Sequence, residues 1–228
     1  MEILGIEKVS LVDYESKICA TIFTGGCNFL CPFCHNAQIV KKEFKEYDEK
    51  EILSYLKDRR KLLDAVTVSG GEPTLQKDLF EFIAKIKEMG YLVKLDTNGT
   101  FPNVVKTLAD NNLIDYVAID IKNSFDDYPA ICGVKQVNTD NIKQTLKILK
   151  EHNITYELRT TLVEGYHTRK TISKMAEELK GEKLLYLQKF VDSGACMKNY
   201  LQAISKEQAK EFQKILSSSI EKVELRGY

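Results

Sequence analysis

Three cysteines fall within eight residues, Cys27-Asn-Phe-Leu-Cys31-Pro-Phe-Cys34. Thiolates gathered this closely can wrap a soft metal or an iron–sulfur cluster. A four-iron cube takes four thiolates. Three leave one iron open, and an open metal position is where a substrate can bind. A zinc site is the competing reading, with Cys27, Cys31, Cys34 and His35 as a Cys3His set. Adjacent Cys34 and His35 are awkward to aim at one metal, and no distant second pair of ligands accompanies them. Cys19, Cys132 and Cys196 form no spaced pair, so a single cluster is expected. Cys19 reads as a small buried hydrophobe in a strand, and Cys132 and Cys196 read as loop residues.

A second signal is Ser69-Gly70-Gly71-Glu72-Pro73-Thr74. Paired glycines let backbone approach a ligand closely, and Glu72 and Pro73 shape the turn. Further polar candidates are Asp96, Asp120, Lys122 and Arg159. Each also has a plain structural reading: Asp96 as the cap of the Asn98-Gly99 turn, Asp120 with Lys122 as an ion pair on one side of a strand, and Arg159 as the partner of a strand-end carboxylate. His35 reads as structural, and His152 and His167 as exposed residues at loop or helix edges.

These residues sit where strands end. Apolar runs at Ile18–Thr24, Ala65–Ser69, Leu92–Asp96, Tyr116–Ile121, Tyr156–Leu162 and Leu184–Phe190 read as strands. Helix-period stretches separate them. Leu79, Phe82, Ile83 and Ile86 mark one, with Gly90 as its stop, and Pro102 opens the next. Asp48, Thr139 and Ser205 open others, Ile172, Met175, Ala176 and Leu179 line another, and Val223–Leu225 reads as a last short strand. An extended segment, Ile3 to Tyr14, precedes the first strand. Six strand–helix units in strict alternation imply a parallel sheet with right-handed crossovers. The C-terminal strand ends of such a sheet form the ligand-binding rim, which is where the cysteine loop and the Gly-Gly turn fall. Pattern alone leaves a doubly wound open sheet and a partial barrel both open.

The chain has 228 residues, with Lys+Arg 33 against Asp+Glu 33. That balance argues against a protein held to nucleic acid or to a membrane by bulk charge. No segment approaches about 18 consecutive apolar residues, so no membrane span is expected. The N-terminus lacks a signal-peptide pattern. A cytoplasmic location is therefore expected, where six cysteines are not a disulfide framework. With no linker or repeat, residues 1–228 read as a single domain, its core about 15–195, with a C-terminal helix and short strand over 205–228.

The Cys27/Cys31/Cys34 triplet, with Phe33 before the last cysteine, and the Gly70-Gly71-Glu72-Pro73 run resemble the radical S-adenosylmethionine (SAM) superfamily. The resemblance implies a partial (β/α)6 barrel of parallel strands with an N-terminal extended segment. It also implies one [4Fe–4S] cluster on Cys27, Cys31 and Cys34, and SAM held by Phe33, Gly70, Gly71, Glu72, Asp96, Asp120, Lys122 and Arg159. No catalytic residue beyond cluster and SAM is implied. Finer segments, Cys34-His35-Asn36-Ala37, Leu95-Asp96-Thr97-Asn98-Gly99 and Asp120-Ile121-Lys122, are similar to those of the glycyl-radical-enzyme activases. The length and the closing Val223-Glu224-Leu225-Arg226-Gly227 most resemble the short anaerobic ribonucleoside-triphosphate reductase activating proteins. Such an enzyme reductively cleaves SAM to a 5′-deoxyadenosyl radical and takes a glycine hydrogen from a partner glycyl radical enzyme, with electrons from a flavodoxin- or ferredoxin-type donor. Longer formate-lyase activases carry a His at the sixth strand end, where this chain has Leu187-Gln188-Lys189-Phe190. A formate-lyase-type activase, a small-molecule enzyme such as a carboxy-deazaguanine synthase and a zinc-binding interaction module stand as alternatives.

Overall fold

The computed structural model describes residues 1–228 except Lys42, Phe44, Ser193 and Ala195. Among the described residues there are eight strands: β1 (Ile3–Ser10), β2 (Cys19–Thr24), β3 (Ala65–Gly70), β4 (Leu92–Thr97), β5 (Tyr116–Asp120), β6 (Thr155–Leu162), β7 (Leu184–Lys189) and β8 (Lys222–Arg226). The described residues also form eight helices: α1 (Ala37–Val40), α2 (Glu49–Asp58), α3 (Leu79–Glu88), α4 (Pro102–Asp110), α5 (Tyr128–Ile131), α6 (Thr139–Glu151), α7 (Arg169–Glu178) and α8 (Lys206–Leu216). Strands β1 to β4 lie side by side in chain order, and so do β6 to β8. The chain divides into two compact units. The first is Met1–Asn28, Asn36–Ala118 and Asp140–Thr155; the second is Phe29–His35, Ile119–Thr139 and Tyr156–Tyr228.

In the first unit β2, β3 and β4 pair in parallel, and β1 lies antiparallel to β2. The apolar stripe of α3 (Leu79, Phe82, Ile83, Ile86) is buried, as are Val66, Val68, Val93 and Leu95 on the strands. Each such side chain contributes about 1.5–3 kcal/mol by leaving water. The opposite strand face is polar: Thr21, Thr67 and Lys94 lie side by side in register. Lys94 is buried, its ammonium bonded to the Asp13 carbonyl at 2.6 Å and set 5.6 Å from the Tyr116 ring centroid.

In the second unit β6, β7 and β8 pair in parallel. Leu158, Leu162, Leu185 and Leu187 are buried, and so are Ile172 and Met175 of α7 and Phe212 and Leu216 of α8. Their other face again carries polar rows, Arg159–Tyr186–Glu224 and Thr161–Gln188–Arg226. The N-terminus of α7 is closed by a reciprocal pair: Thr171 N–H donates to Thr168 Oγ1, and Thr168 N–H to Thr171 Oγ1. Thr168→Ala should therefore cost about 1 kcal/mol, read as a fall of about 2–4 °C in the melting temperature for a chain of this size.

The six strand–helix units fall where periodicity placed them, and the closing strand is present as β8. The extended N-terminal segment forms a strand only to Ser10. The four-residue helices α1 and α5 and the 3-10 turns at Pro73–Leu75 and Phe125–Asp127 are additions. They are too short for a 3.6-residue period to register. No helix is long and apolar enough to cross a membrane among the described residues.

Candidate functional site

In the first unit, the Gly70–Glu72 turn is zipped onto the chain between β2 and Cys27. Gly71 N–H donates to the Thr24 carbonyl (3.0 Å) and Glu72 N–H to the Gly26 carbonyl (2.8 Å). A Cβ on Gly71 would stand 1.8 Å from the Gly26 oxygen, and Gly70 has φ +127° with a Cβ position 2.2 Å from Thr24 N. Both glycines are therefore required by close approach, and Gly70 by its backbone angle as well. The Gly70 carbonyl accepts from the Asn36 side-chain amide (3.0 Å).

Glu72 is 1% exposed, and its carboxylate is consumed inside the fold. It accepts from Thr74 N–H (3.1 Å), the Thr74 hydroxyl, the Thr97 hydroxyl (2.7 Å) and Asn98 N–H (2.7 Å). Burial pushes its pKa above the ordinary carboxylate range, and these donors pull against that. Glu72 thus ties the end of β3 to the end of β4 and sets the turn.

Asp96 precedes the Asn98-Gly99 turn, whose backbone donors go to the Glu72 carboxylate and the Thr97 hydroxyl. Asp96 itself accepts from the Ser69 hydroxyl (3.2 Å) and lies 3.6 Å from the Lys94 ammonium. The turn is made by Asn98, whose side-chain oxygen accepts from Thr100 N–H (3.0 Å) and the Thr100 hydroxyl (2.6 Å). The Asn98 amide reaches the Asn28 side-chain oxygen (2.8 Å), so the residue after Cys27 is bound to the end of β4.

In the second unit, Cys34 N–H donates to the Cys31 carbonyl (3.0 Å), placing the two cysteines one tight turn apart. Phe33 is buried, with its ring centroid 6.5 Å from that of Tyr166. His35 is exposed and lies against the Phe190 ring. The Asp120 carboxylate is shared between two cations: Arg159 Nε donates to Oδ1 at 3.0 Å and Lys122 Nζ to Oδ2 at 2.9 Å. Burial works to raise the Asp120 pKa, but the charges of Arg159 and Lys122 override it and hold it down at about 2. The ion pairs expected of these three residues are thus present.

Cys132 lies in the turn after α5, where a loop residue is expected, and is the buried C-cap of that helix. His167 departs from the sequence reading. His167 is not exposed; it is 2% exposed, receives Val163 N–H at Nδ1 (3.0 Å) and lies 2.9 Å from the Lys122 carbonyl at Nε2. Burial lowers its pKa. His152 is half-buried and paired with Asp110 at 2.9 Å. Cys19 is buried in β2 as expected, 3.7 Å from the Thr67 hydroxyl.

The donor chemistry suits an iron–sulfur cluster. A hydrogen bond from Cys132 lowers the pKa of the Cys31 thiol, and burial, working the other way, is outweighed with the help of the nearby Lys122 charge. A thiolate is the form that ligates iron.

Residues 21–179 match the family model described as the radical SAM superfamily. The chain belongs to that superfamily, is an enzyme, and uses a [4Fe–4S] cluster and SAM. Within it, the chain is 36% identical over 228 residues to a Methanocaldococcus jannaschii protein named "putative glycyl-radical enzyme activating enzyme", covering 97% of this chain and 94% of that one. It is 29% identical over 158 residues to a pyruvate formate-lyase-activating enzyme of Staphylococcus aureus, covering 64% and 62%. A radical SAM methyltransferase from Sphaerobacter thermophilus shares the fold, with a TM-score of 0.66 at 15% identity over 90% of this chain and 66% of that one. The fold class is the expected one, and superfamily membership sets aside the zinc-binding module.

Proposed function

We propose that the protein is a glycyl-radical-enzyme activase whose partner is an anaerobic ribonucleoside-triphosphate reductase. The observation that carries this reading is similarity to a named activating enzyme along nearly the whole chain. The Cys34-His35-Asn36, Asp96-Thr97-Asn98-Gly99 and Asp120-Ile121-Lys122 segments support it, and each lies at a strand end or in the cysteine loop. Cys27, Cys31 and Cys34 would hold the cluster. Together with SAM it supplies a 5′-deoxyadenosyl radical when reduced, and the protein orients and shields that chemistry. The Gly70–Glu72 turn offers backbone that a ligand can approach closely, with Glu72 acting through the turn it fixes. Phe33 would pack near the adenine, and Asp96 would line the rim. Asp120, Lys122 and Arg159 would act together as one charged set on the ribose or the SAM carboxylate. A flavodoxin- or ferredoxin-type protein would supply the electron, in the cytoplasm.

Lys122→Ala and Asp120→Ala should keep their iron but bind SAM about tenfold more weakly. A hydrogen bond to a charged group is worth about 1.5–3 kcal/mol, and 1.4 kcal/mol is tenfold. Equilibrium binding to the oxidised holoprotein checks this, and unchanged affinity in both variants returns the pair to a structural role.

Partner choice is tested by mixing the reduced protein and SAM anaerobically with a ribonucleotide reductase or with a formate lyase. A glycyl doublet in the paramagnetic resonance spectrum of the first alone supports the reading. A doublet only with formate lyase overturns the choice of partner, and none with either overturns the activase assignment.

A further inference from the structure

In the second unit β5 ends at Asp120, and the chain just past it is held by buried side chains. Ile121 N–H still reaches the Arg159 carbonyl of β6 at 2.8 Å. Beyond it, both main-chain polar groups of Lys122 meet side chains. Lys122 N–H donates to the Tyr128 hydroxyl of α5 at 3.1 Å, and the Lys122 carbonyl lies 2.9 Å from Nε2 of His167. Tyr128 is fully buried and His167 nearly so. The His167 ring is itself fixed, because its Nδ1 accepts Val163 N–H, the first amide past β6. With Nδ1 occupied as an acceptor, the neutral ring carries its proton on Nε2 and donates it to the Lys122 carbonyl. The ring thus joins the chain past β6 to the chain past β5. Asn123 adds a second tie to the same turn, its side-chain amide donating to the Tyr166 carbonyl at 3.0 Å.

We infer that His167 and Tyr128 are positioning residues for SAM: they clamp the main chain of Lys122 and so aim its ammonium, together with the Asp120 carboxylate it shares with Arg159. The inference rests on reading these three charged residues as the set that binds SAM. The side chains of Asp120, Lys122 and Arg159 stay 30%, 18% and 14% exposed, open to a ligand, while the clamp behind them is dry. A lysine ammonium rides on a long flexible stem, so its place depends on a fixed partner and a fixed main chain. Asp120 is the partner, at 2.9 Å, and the clamp fixes the main chain. A binding constellation has to be held within about 0.5 Å by such supports. Histidine suits its position because one small ring presents an acceptor and a donor on different sides, and so links an N–H to a carbonyl.

The test compares two amides in place of the ring. His167→Asn puts its amide oxygen where Nδ1 lies and keeps an acceptor for Val163 N–H, but is too short to reach Lys122. His167→Gln carries a donor nitrogen as far out as Nε2. Equilibrium binding of SAM to the oxidised holoprotein is measured for both, for Tyr128→Phe and for Lys122→Ala, with iron content on the same samples. His167→Asn and Tyr128→Phe should keep their iron and bind SAM about fivefold more weakly, the loss expected from one hydrogen bond. Without SAM, their Lys122 amide should exchange its hydrogen faster than in the wild type. His167→Gln should return toward wild-type affinity. His167→Asn added to Lys122→Ala should cost nothing further, because the ammonium it aims is gone. Wild-type affinity in His167→Asn or Tyr128→Phe, a glutamine variant as weak as the asparagine one, or additive losses in the double variant overturns the proposal. Affinity lost only in step with iron overturns it too, since the pair would then serve the fold alone. Wild-type affinity in Lys122→Ala refutes instead the reading of Lys122 as a SAM residue, on which the proposal stands.

Discussion

Replacing any one of Cys27, Cys31 or Cys34 with alanine abolishes cluster assembly and SAM cleavage. A cube with three protein thiolates has none to spare, and the two that remain cannot hold it. Losing an outer-shell partner of a metal site already costs about 10–100-fold, so losing a ligand should leave below about one hundredth of the wild-type rate. Cys19→Ala and Cys196→Ala are the matched controls. Cys19 is packed in β2 against Thr67, and Cys196 belongs to no spaced cysteine pair. Both variants should load iron fully. Iron content and 5′-deoxyadenosine formation on anaerobically reconstituted protein check this. A control that loses iron while Cys31→Ala keeps it would mean that the ligands are assigned to the wrong cysteines.

Glu72→Ala should produce the largest loss of stability. The substitution strands four donors in a dry site: Thr74 N–H and hydroxyl, the Thr97 hydroxyl and Asn98 N–H. Each buried donor left unsatisfied costs about 1–3 kcal/mol, so the four together mean a fall of about 10 °C or more in the melting temperature for a chain of this length. Glu72→Gln keeps an acceptor oxygen but turns an amide toward donors, and should fall between the alanine variant and wild type. A melting temperature for Glu72→Ala within about 2 °C of wild type would contradict the structural role of the carboxylate.

The cysteine triplet and the Gly-Gly-Glu-Pro turn were readable because their signals are local. The spacing of three thiols within eight residues and the strand before each loop are properties of short windows of sequence. The ion pairs of Asp120 with Lys122 and Arg159 were readable as a possibility, because strand alternation puts the first two on one side. Other features depend on partners far away in the chain. Asn28 and Asn98 meet across 70 residues, and Asn36 supports Gly70 across 34. His167 reads as an exposed edge residue because Glu164, Thr168, Arg169 and Lys170 surround it in sequence, yet its ring is buried against the Val163 amide and the Lys122 carbonyl. Glu72 reads as a residue that shapes the turn, and only the family resemblance assigns it to SAM; the donors its oxygens accept from Thr97 and Asn98 lie 25 and 26 residues further on and cannot be seen locally.

The central claim is that this chain removes a hydrogen atom from a glycine of a partner protein. It is tested most directly by following that atom. The reduced protein is mixed anaerobically with unlabelled SAM and an anaerobic ribonucleotide reductase carrying deuterium at its glycine Cα positions. Deuterium should arrive in 5′-deoxyadenosine in step with a narrowed glycyl radical signal on the partner. Deoxyadenosine that forms without deuterium, with no radical on the partner, would contradict direct abstraction while leaving SAM cleavage intact.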